Sequence, residues 1–479
     1  MNAGAAELFG DQTRLAVENF PISGVRFPLA VIHEVARIKK AAALVLTDLV
    51  PDRLPGEMAR AIERATDEVL DGKWDDQFVV DVFQTGSATS SHMNVNEVLA
   101  ARAEELLPGT SVHPNDHVNL GQSSNDVMPS AVRLAAVVAA VGLRSALLRL
   151  ERELGLQERN LKHVVKAGRT HLQDAVPVTL GQEFGGYRQQ IADAGARIEE
   201  IVPAVGRLPL GGTAVGNGLN APPGFADRAI EALADATGLH LTPAPDRFAV
   251  QGSHDDLVDL SARARTVAVA MQKISNDIRL MASGPTAGLG ELRIPALQPG
   301  SSIMPGKVNP VVIEVVNQVV ARVIGNDATI AFAGTQGILE LNTYLPVIAH
   351  DLLDSLQLLT AAADLLASKC VAPLQPDVER CRAYAADSAA LVTALAPLIG
   401  YDAAADAHHR AQASGESIVD LVARRHDIDA SVLEAELDLL TMAQGSIEVS
   451  RPELPFEKDE SPSVDDPPSD TGTIGPKGP

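Results

Sequence analysis

Five stretches of this sequence, residues 127–154, 181–201, 254–282, 309–330 and 341–369, run as helix formers for about 20 to 30 residues each, with few polar interruptions. An ordinary helix has about 11–12 residues. Helices this long, and apolar on several faces, need packing partners all round. A single chain can supply only some of them. A bundle shared between subunits is the simple solution, and one large monomeric helical domain is the alternative. Aromatic residues are 3% of the chain, while Ala, Leu and Val abound. Small aliphatic side chains suit close helix packing better than a β-sandwich, so a mainly α fold is expected.

Four regions differ in character. Residues 1–125 mix short helical patterns with Gly- and Asn-rich loops, and residues 126–370 carry the long helices. Residues 371–450 read as a small domain of shorter helices, punctuated by Pro373, Pro397 and Gly400. Residues 451–479 are Pro-rich and acidic, with seven acids against two bases from Pro452 to Pro479, and read as a disordered tail. No repeat at solenoid periods is present.

The net charge of −23 excludes a typical nucleic-acid binder. A negative protein that binds an anion must concentrate positive potential in one pocket, from a few cations and backbone N–H groups. Two cysteines, Cys370 and Cys381, make no disulfide framework, and a reducing compartment is the default. The start has no basic segment followed by an apolar run, so no signal peptide is read. The apolar run at 134–143 is too short to span a membrane and is bracketed by Arg133 and Arg144. The expectation is a soluble, cytoplasmic protein with no membrane partner.

The densest chemistry lies at residues 300–310, Gly-Ser-Ser-Ile-Met-Pro-Gly-Lys-Val-Asn-Pro. Gly300 and Gly306 free the backbone, and Pro305 and Pro310 restrict it. Clusters of Gly, Pro and Ser are usually plain surface loops. A P-loop requires four residues between its glycines and Ser or Thr after the lysine. Here five residues intervene and Val308 follows Lys307, which argues against nucleotide binding.

This segment resembles the signature of the fumarase/aspartase superfamily almost letter for letter. Further matching segments occur in the family's order: Ser87, Ala88 and Thr89, then residues 93–97; His113, Pro114, Asn115 and Asp116, then residues 122–126; and residues 168–174, which carry His171. The resemblance runs from about Gly10 to Gly445. It implies a three-domain, mainly α fold whose central long-helix bundle joins a multi-helix core in a homotetramer. Each active site would draw on three subunits.

The resemblance also implies roles. Ser301 would abstract the proton, Lys307 and Asn309 would stabilise the anion formed, and His171 paired with Glu314 would serve the leaving group. Ser87, Ala88, Thr89, Ser123, Ser124, Asn125, Thr170, Ser302, Lys307 and Asn309 would bind the substrate. His113, Asn115 and Asp116 resemble a secondary anion site. No metal and no cofactor is implied. His113 and His117 have a zinc-like spacing, but Pro114 and the lack of a third ligand count against a metal. His33, His240, His350, His408 and His409 read as structural or solvated.

The chemistry is consistent with those roles. Taking a proton from carbon beside a carboxylate places a second negative charge on that group. The resulting aci-carboxylate needs fixed cations and N–H donors that act in the transition state. Ammonia can leave already protonated, whereas hydroxide needs a general acid. Gly306, His113 and Ser124 favour the class II fumarase branch over aspartases, which typically carry Ala, Asn and Thr there. Fumarate hydration to (S)-malate is therefore the expected reaction. An aspartate ammonia-lyase or another fumarate-releasing lyase is the alternative, and a non-catalytic structural member of the family is a second one. The sequence departs from the family at Ala88 (usually Gly), His92 (usually Asn), Gly121 (commonly Ser) and Asn217. His92 either fills space or alters the pocket.

Overall fold

A computed structural model describes residues 7–445, so the acidic tail lies outside the described residues. The N-terminal part holds α1 (Asp11–Asn19), α2 (Leu29–Leu49), α3 (Gly56–Leu70) and α4 (Thr89–Leu106). The helices α2 and α4 are longer than the short patterns read from the sequence. Their burial explains the difference: α2 alone hides twelve residues, Lys39 among them, and tertiary packing extends what local propensity leaves marginal.

The five long helices form as the pattern predicts. They are α5 (Ser124–Asn160), α6 (Leu180–Val205), α9 (Asp255–Met281), α10 (Val311–Gly334) and α11 (Leu345–Leu366), with the shorter α7 (Phe225–Thr237) and α8 (Arg247–Gly252) lying between α6 and α9. The helix α5 packs on α6, α6 on α9, α9 on α10, α10 on α11, and α11 back on α5, which closes a five-helix bundle. Leu134, Leu143, Leu150, Ile191, Ile198, Val267, Ile274, Val316, Val323, Leu352 and Leu359 form part of its core.

Helix ends follow local chemistry. Ser123 Oγ accepts from Asn125 N (3.2 Å) and Asp126 Oδ1 accepts from Ser123 N (2.9 Å), a capping box that starts α5. Thr179 and Gln182 cap α6 in the same way. The last long helix begins at Leu345 rather than 341, because Leu341 and Asn342 pair back with Gly337 and Ile338, and Asn342 Oδ1 takes the N–H of Tyr344.

In the gap left between the helical stretches 127–154 and 181–201 the chain forms a hairpin, β1 (Val165–Thr170) and β2 (Gln173–Thr179). Its turn is His171 and Leu172, both in the left-handed region at φ 56° and 59°. A two-residue hairpin turn normally signals itself with Asn-Gly or Gly, so this one is silent in the sequence. Gly168 sits at an irregularity of the pairing, where an added Cβ would lie 2.5 Å from the Val176 carbonyl oxygen. The smaller helices α12 (Val378–Asp387), α13 (Val392–Ile399), α14 (Tyr401–Ser414), α15 (Ile418–His426) and α16 (Ala430–Glu436) follow. Val392, Leu395, Ala404, Leu421, Val422 and Leu433 form a second, separate core.

By length and composition α5 could cross a membrane, although Arg133 and Arg144 bracket its apolar run. Most of the apolar window is buried inside the fold, and Arg133 itself is buried against Asp256 at 3.1 Å. That is the behaviour of a core helix.

Candidate active site

The first loop turns into α4. Gln84 Oε1 accepts from Ser91 N and Thr85 Oγ1 from Ser90 N, which closes the loop over the helix start. Gly86 lies so near Thr343 that a Cβ would sit 2.2 Å from its carbonyl oxygen, so the loop is pressed onto the start of α11. Ala88 is buried and left-handed at φ 59°, the conformation for which a glycine would be the unstrained choice. Ser87 Oγ and Thr89 Oγ1 are bonded at 2.8 Å.

The second loop, Ser123 to Asn125, opens α5. Beneath it Asp126 is buried, and its two oxygens accept three backbone N–H groups: Ser123 (2.9 Å), Gly211 (2.9 Å) and Thr213 (3.0 Å). Burial pushes this carboxyl above the ordinary 3.8, against the N–H groups and Lys39, which pull the other way. Asn125 Nδ2 donates to Ala214 O at 2.8 Å. One carboxylate thus ties the second loop to the glycine-rich turn at 211–218.

Two further residues support this loop: Lys39, which the sequence reading did not single out, and His92, which it read as either filling space or altering the pocket. Lys39 on α2 is buried and donates to Asn119 Oδ1 (2.8 Å) and Gln122 Oε1 (3.0 Å), fixing the approach to Ser123. Burial pushes its ammonium down to about 7, with Asp126 opposing. His92, buried on α4, meets Ser124 Oγ through Nδ1 at 2.7 Å and so joins the first loop's helix to the second loop. Burial, with Lys39 adding, holds this imidazole well below 6.5, so it is neutral. A lysine on an otherwise apolar helix face was the available signal for Lys39.

The third group sits on the hairpin. Thr170 and His171 are exposed at its tip, and His171 is held there by its left-handed backbone. The stem is anchored by charge: Arg169 grips Glu291 with both terminal nitrogens (3.0 and 2.8 Å), and Lys166 bonds Glu183 at 2.9 Å. Glu291 is fully buried, and its backbone continues into the segment that leads to residue 300. Nothing in the sequence near Glu291 announced this pair.

The fourth group is residues 300–310. Gly300 N donates to Lys307 O (3.0 Å) and Asn309 Nδ2 to Gly300 O (2.6 Å), which closes the loop at its neck. A Cβ on Gly300 would lie 2.2 Å from Lys307 O, so only glycine permits that closure. Ser301 Oγ accepts from Ile303 N (3.2 Å) and Met304 N (3.0 Å). Ser302, Ile303, Met304 and Lys307 are exposed, and Glu314 is exposed in the first turn of α10.

Within one chain the first and second loops come together through His92. Among the described residues, no hydrogen bond or ion pair joins His171 to Glu314, or either of them to Ser301, Lys307, Ser87 or Ser124. Asn115 and Asp116 lie on a single tight turn (Pro114–Val118), which His113 caps. There His113 Nδ1 accepts from Asp116 N (3.1 Å) and His117 Nδ1 from His113 N (2.8 Å). The zinc-like spacing is thus taken up by bonds within the turn. Among the described residues, no three His, Cys, Asp or Glu side chains gather as metal ligands.

The sequence profile of a family described as "Lyase" matches residues 1–325, and that of "Fumarase C C-terminus" matches residues 391–444. A class II fumarate hydratase of Xylella fastidiosa is 46% identical over 443 residues, covering 92% of this chain and 93% of that one. One of Mycobacterium tuberculosis is 48% identical over 446 residues, with the same coverage. The crystal structure of a class II fumarase from Schistosoma mansoni superposes with a TM-score of 0.89 at 38% identity, covering 92% of this chain and 97% of that one. This mainly helical chain, with its loop at 300–310 and its capped loops at α4 and α5, therefore belongs to the class II fumarate hydratase family within the fumarase/aspartase superfamily.

Proposed function

We propose that this chain is a fumarate hydratase that interconverts fumarate and (S)-malate by anti addition and removal of water. The observation that carries the reading is the closed loop at 300–310, with Ser301, Lys307 and Asn309 together on it. In the direction from malate to fumarate Ser301 Oγ takes the proton from the carbon beside a carboxylate. The electron pair moves onto that carboxylate as an aci-carboxylate, and then returns to form the double bond as the hydroxyl leaves as water.

A serine hydroxyl is a weak base, so its anion must be stabilised. The two backbone N–H groups that point at Ser301 Oγ act in that direction. Lys307 has no ion-pair partner among the described residues, which leaves its ammonium for the substrate carboxylate. Ser302 and Asn309 complete this side. Ser87, Ala88, Thr89, Ser123, Ser124, Asn125 and Thr170 bind the substrate's carboxylates, the first six from helix starts where the peptide dipoles favour an anion. His171 protonates the departing hydroxyl, oriented by Glu314. His113, Asn115 and Asp116 form a secondary anion site.

The active form is a homotetramer in which three subunits supply one site. Two features support this. Among the described residues, no hydrogen bond or ion pair joins the side chains of Ser301, His171, Lys307 and Glu314 to one another within a chain. The bundle helices also leave Val138, Val141, Val269, Val315, Ile324 and Phe332 exposed, faces that other copies would cover. The four-part division at 125, 370 and 450 belongs to the same reading. Buried free thiols at Cys370 and Cys381 fit a cytoplasmic enzyme.

The test offers purified protein malate and, separately, aspartate, while the ultraviolet absorbance of the fumarate double bond is followed. Fumarate from malate is expected. Fumarate from aspartate alone refutes the reading. Ser301→Ala is expected to abolish turnover with the oligomer intact by light scattering, and substantial residual activity would remove Ser301 as the base.

A further inference from the structure

Position 92 holds a buried histidine whose second nitrogen, Nε2, has no hydrogen-bond partner. Leaving a buried polar atom unpaired costs about 1–3 kcal/mol. An apolar residue would fill the same space without that cost. The ring's one polar contact is Ser124 Oγ at 2.7 Å. Lys39 lies close enough to disfavour a second proton on the ring, so the imidazole is neutral and carries one donor and one acceptor.

The direction of that bond decides what Ser124 can do. If Ser124 donated to Nδ1, its hydroxyl would present only lone pairs to the pocket and would repel a carboxylate. If Nδ1–H donates to Oγ, the hydroxyl proton is free to point outward, and the bond it receives strengthens the bond it gives. Ser124 stands at the first position of α5, half-buried, with Ser123 beside it engaged in capping.

We infer that His92 is a positioning residue that donates its Nδ1–H to Ser124 Oγ and so turns the Ser124 hydroxyl proton toward a substrate carboxylate. The inference deepens the proposed function and rests on it for the identity of the substrate. Position 92 then requires a donor to Ser124, and an Asn side-chain amide, which also carries N–H groups, is the substitution that can supply one.

The test is steady-state kinetics of H92L, H92N, S124A and H92L/S124A with malate, together with melting temperatures. H92L is expected to raise KM about tenfold, the size of one carboxylate hydrogen bond, with kcat within about twofold. Its melting temperature should not fall, because the unpartnered Nε2 is removed. H92N should restore KM. The double variant should match S124A, because His92 acts only through Ser124. An unchanged KM in H92L, independent effects in the double variant, or no rescue by Asn would overturn the assignment. Calorimetry of succinate binding to S301A with and without H92L separates the two readings. If the wild type turns over neither malate nor aspartate while H92L still weakens succinate binding, the activity falls and the positioning role stands. If succinate does not bind at all, both fall.

Discussion

Asp126→Asn tests the idea that a single buried carboxylate assembles the second loop. The carboxylate accepts one N–H on Oδ1 and two on Oδ2, from Ser123, Gly211 and Thr213. Asparagine has nearly the same shape but only one acceptor oxygen. In its better orientation it keeps the bonds from Gly211 and Thr213 and sets its NH2 against the N–H of Ser123. One charge-assisted bond, about 1.5–3 kcal/mol, is lost, and the two that remain weaken to neutral ones of about 1 kcal/mol each. Relief of the burial cost that raises this carboxyl's pKa offsets part of the loss. A net destabilisation of about 2 kcal/mol follows. Large assemblies commonly unfold irreversibly, so the assay is the unfolding rate at fixed denaturant, expected to rise about tenfold or more, as 1.4 kcal/mol is a factor of ten. Loss of the capping box also releases Ser123 and Ser124, so KM for malate should rise. A variant with wild-type unfolding rate and wild-type KM would refute the claim that Asp126 holds the second loop to the turn at 211–218.

His171→Asn should keep the hairpin, since Asn tolerates the left-handed backbone, and should lower kcat by about 100-fold or more; near-normal turnover would remove His171 as the acid. Glu68 is held down to about 2, first by its bonds to Arg102. Its folded pKa lies below the unfolded 4.5, so its stabilisation is complete above pH 4.5 and disappears as pH falls toward 2. Glu68→Gln should cost about 1 kcal/mol at pH 7 and flatten the acid-unfolding curve across that window, as read by circular dichroism. Burial pushes the thiols of Cys370 and Cys381 up to about 12, so a thiol reagent at pH 8 should label neither until the protein is denatured. Rapid labelling of the native protein would contradict that burial.

Much of the candidate site was legible because its residues lie close together in sequence. Residues 300–310 bring two glycines, a serine base candidate, a lysine and an asparagine together within one closed loop, and the closing bonds from Gly300 and Asn309 span only nine residues. The helix start at Ser123 was readable for the same reason, since Asp126 follows three residues later. The hairpin was not. Its turn residues, His171 and Leu172, have no intrinsic preference for a left-handed backbone, and the strand pairing with its anchoring charges imposes that conformation.

The sequence by itself determined the mainly helical class, the five bundle helices and the loop at 300–310, because hydrophobic period, helix length and Gly-Pro spacing act over a few turns of chain. Only the tertiary structure decided what stands behind those groups. Lys39 reaches the second loop across 80 and more residues, His92 reaches Ser124 across 32, and Glu291 reaches Arg169 across 122. Buried polar groups are costly unless paired, and their partners are chosen by how the helices pack, which no short stretch of residues can encode.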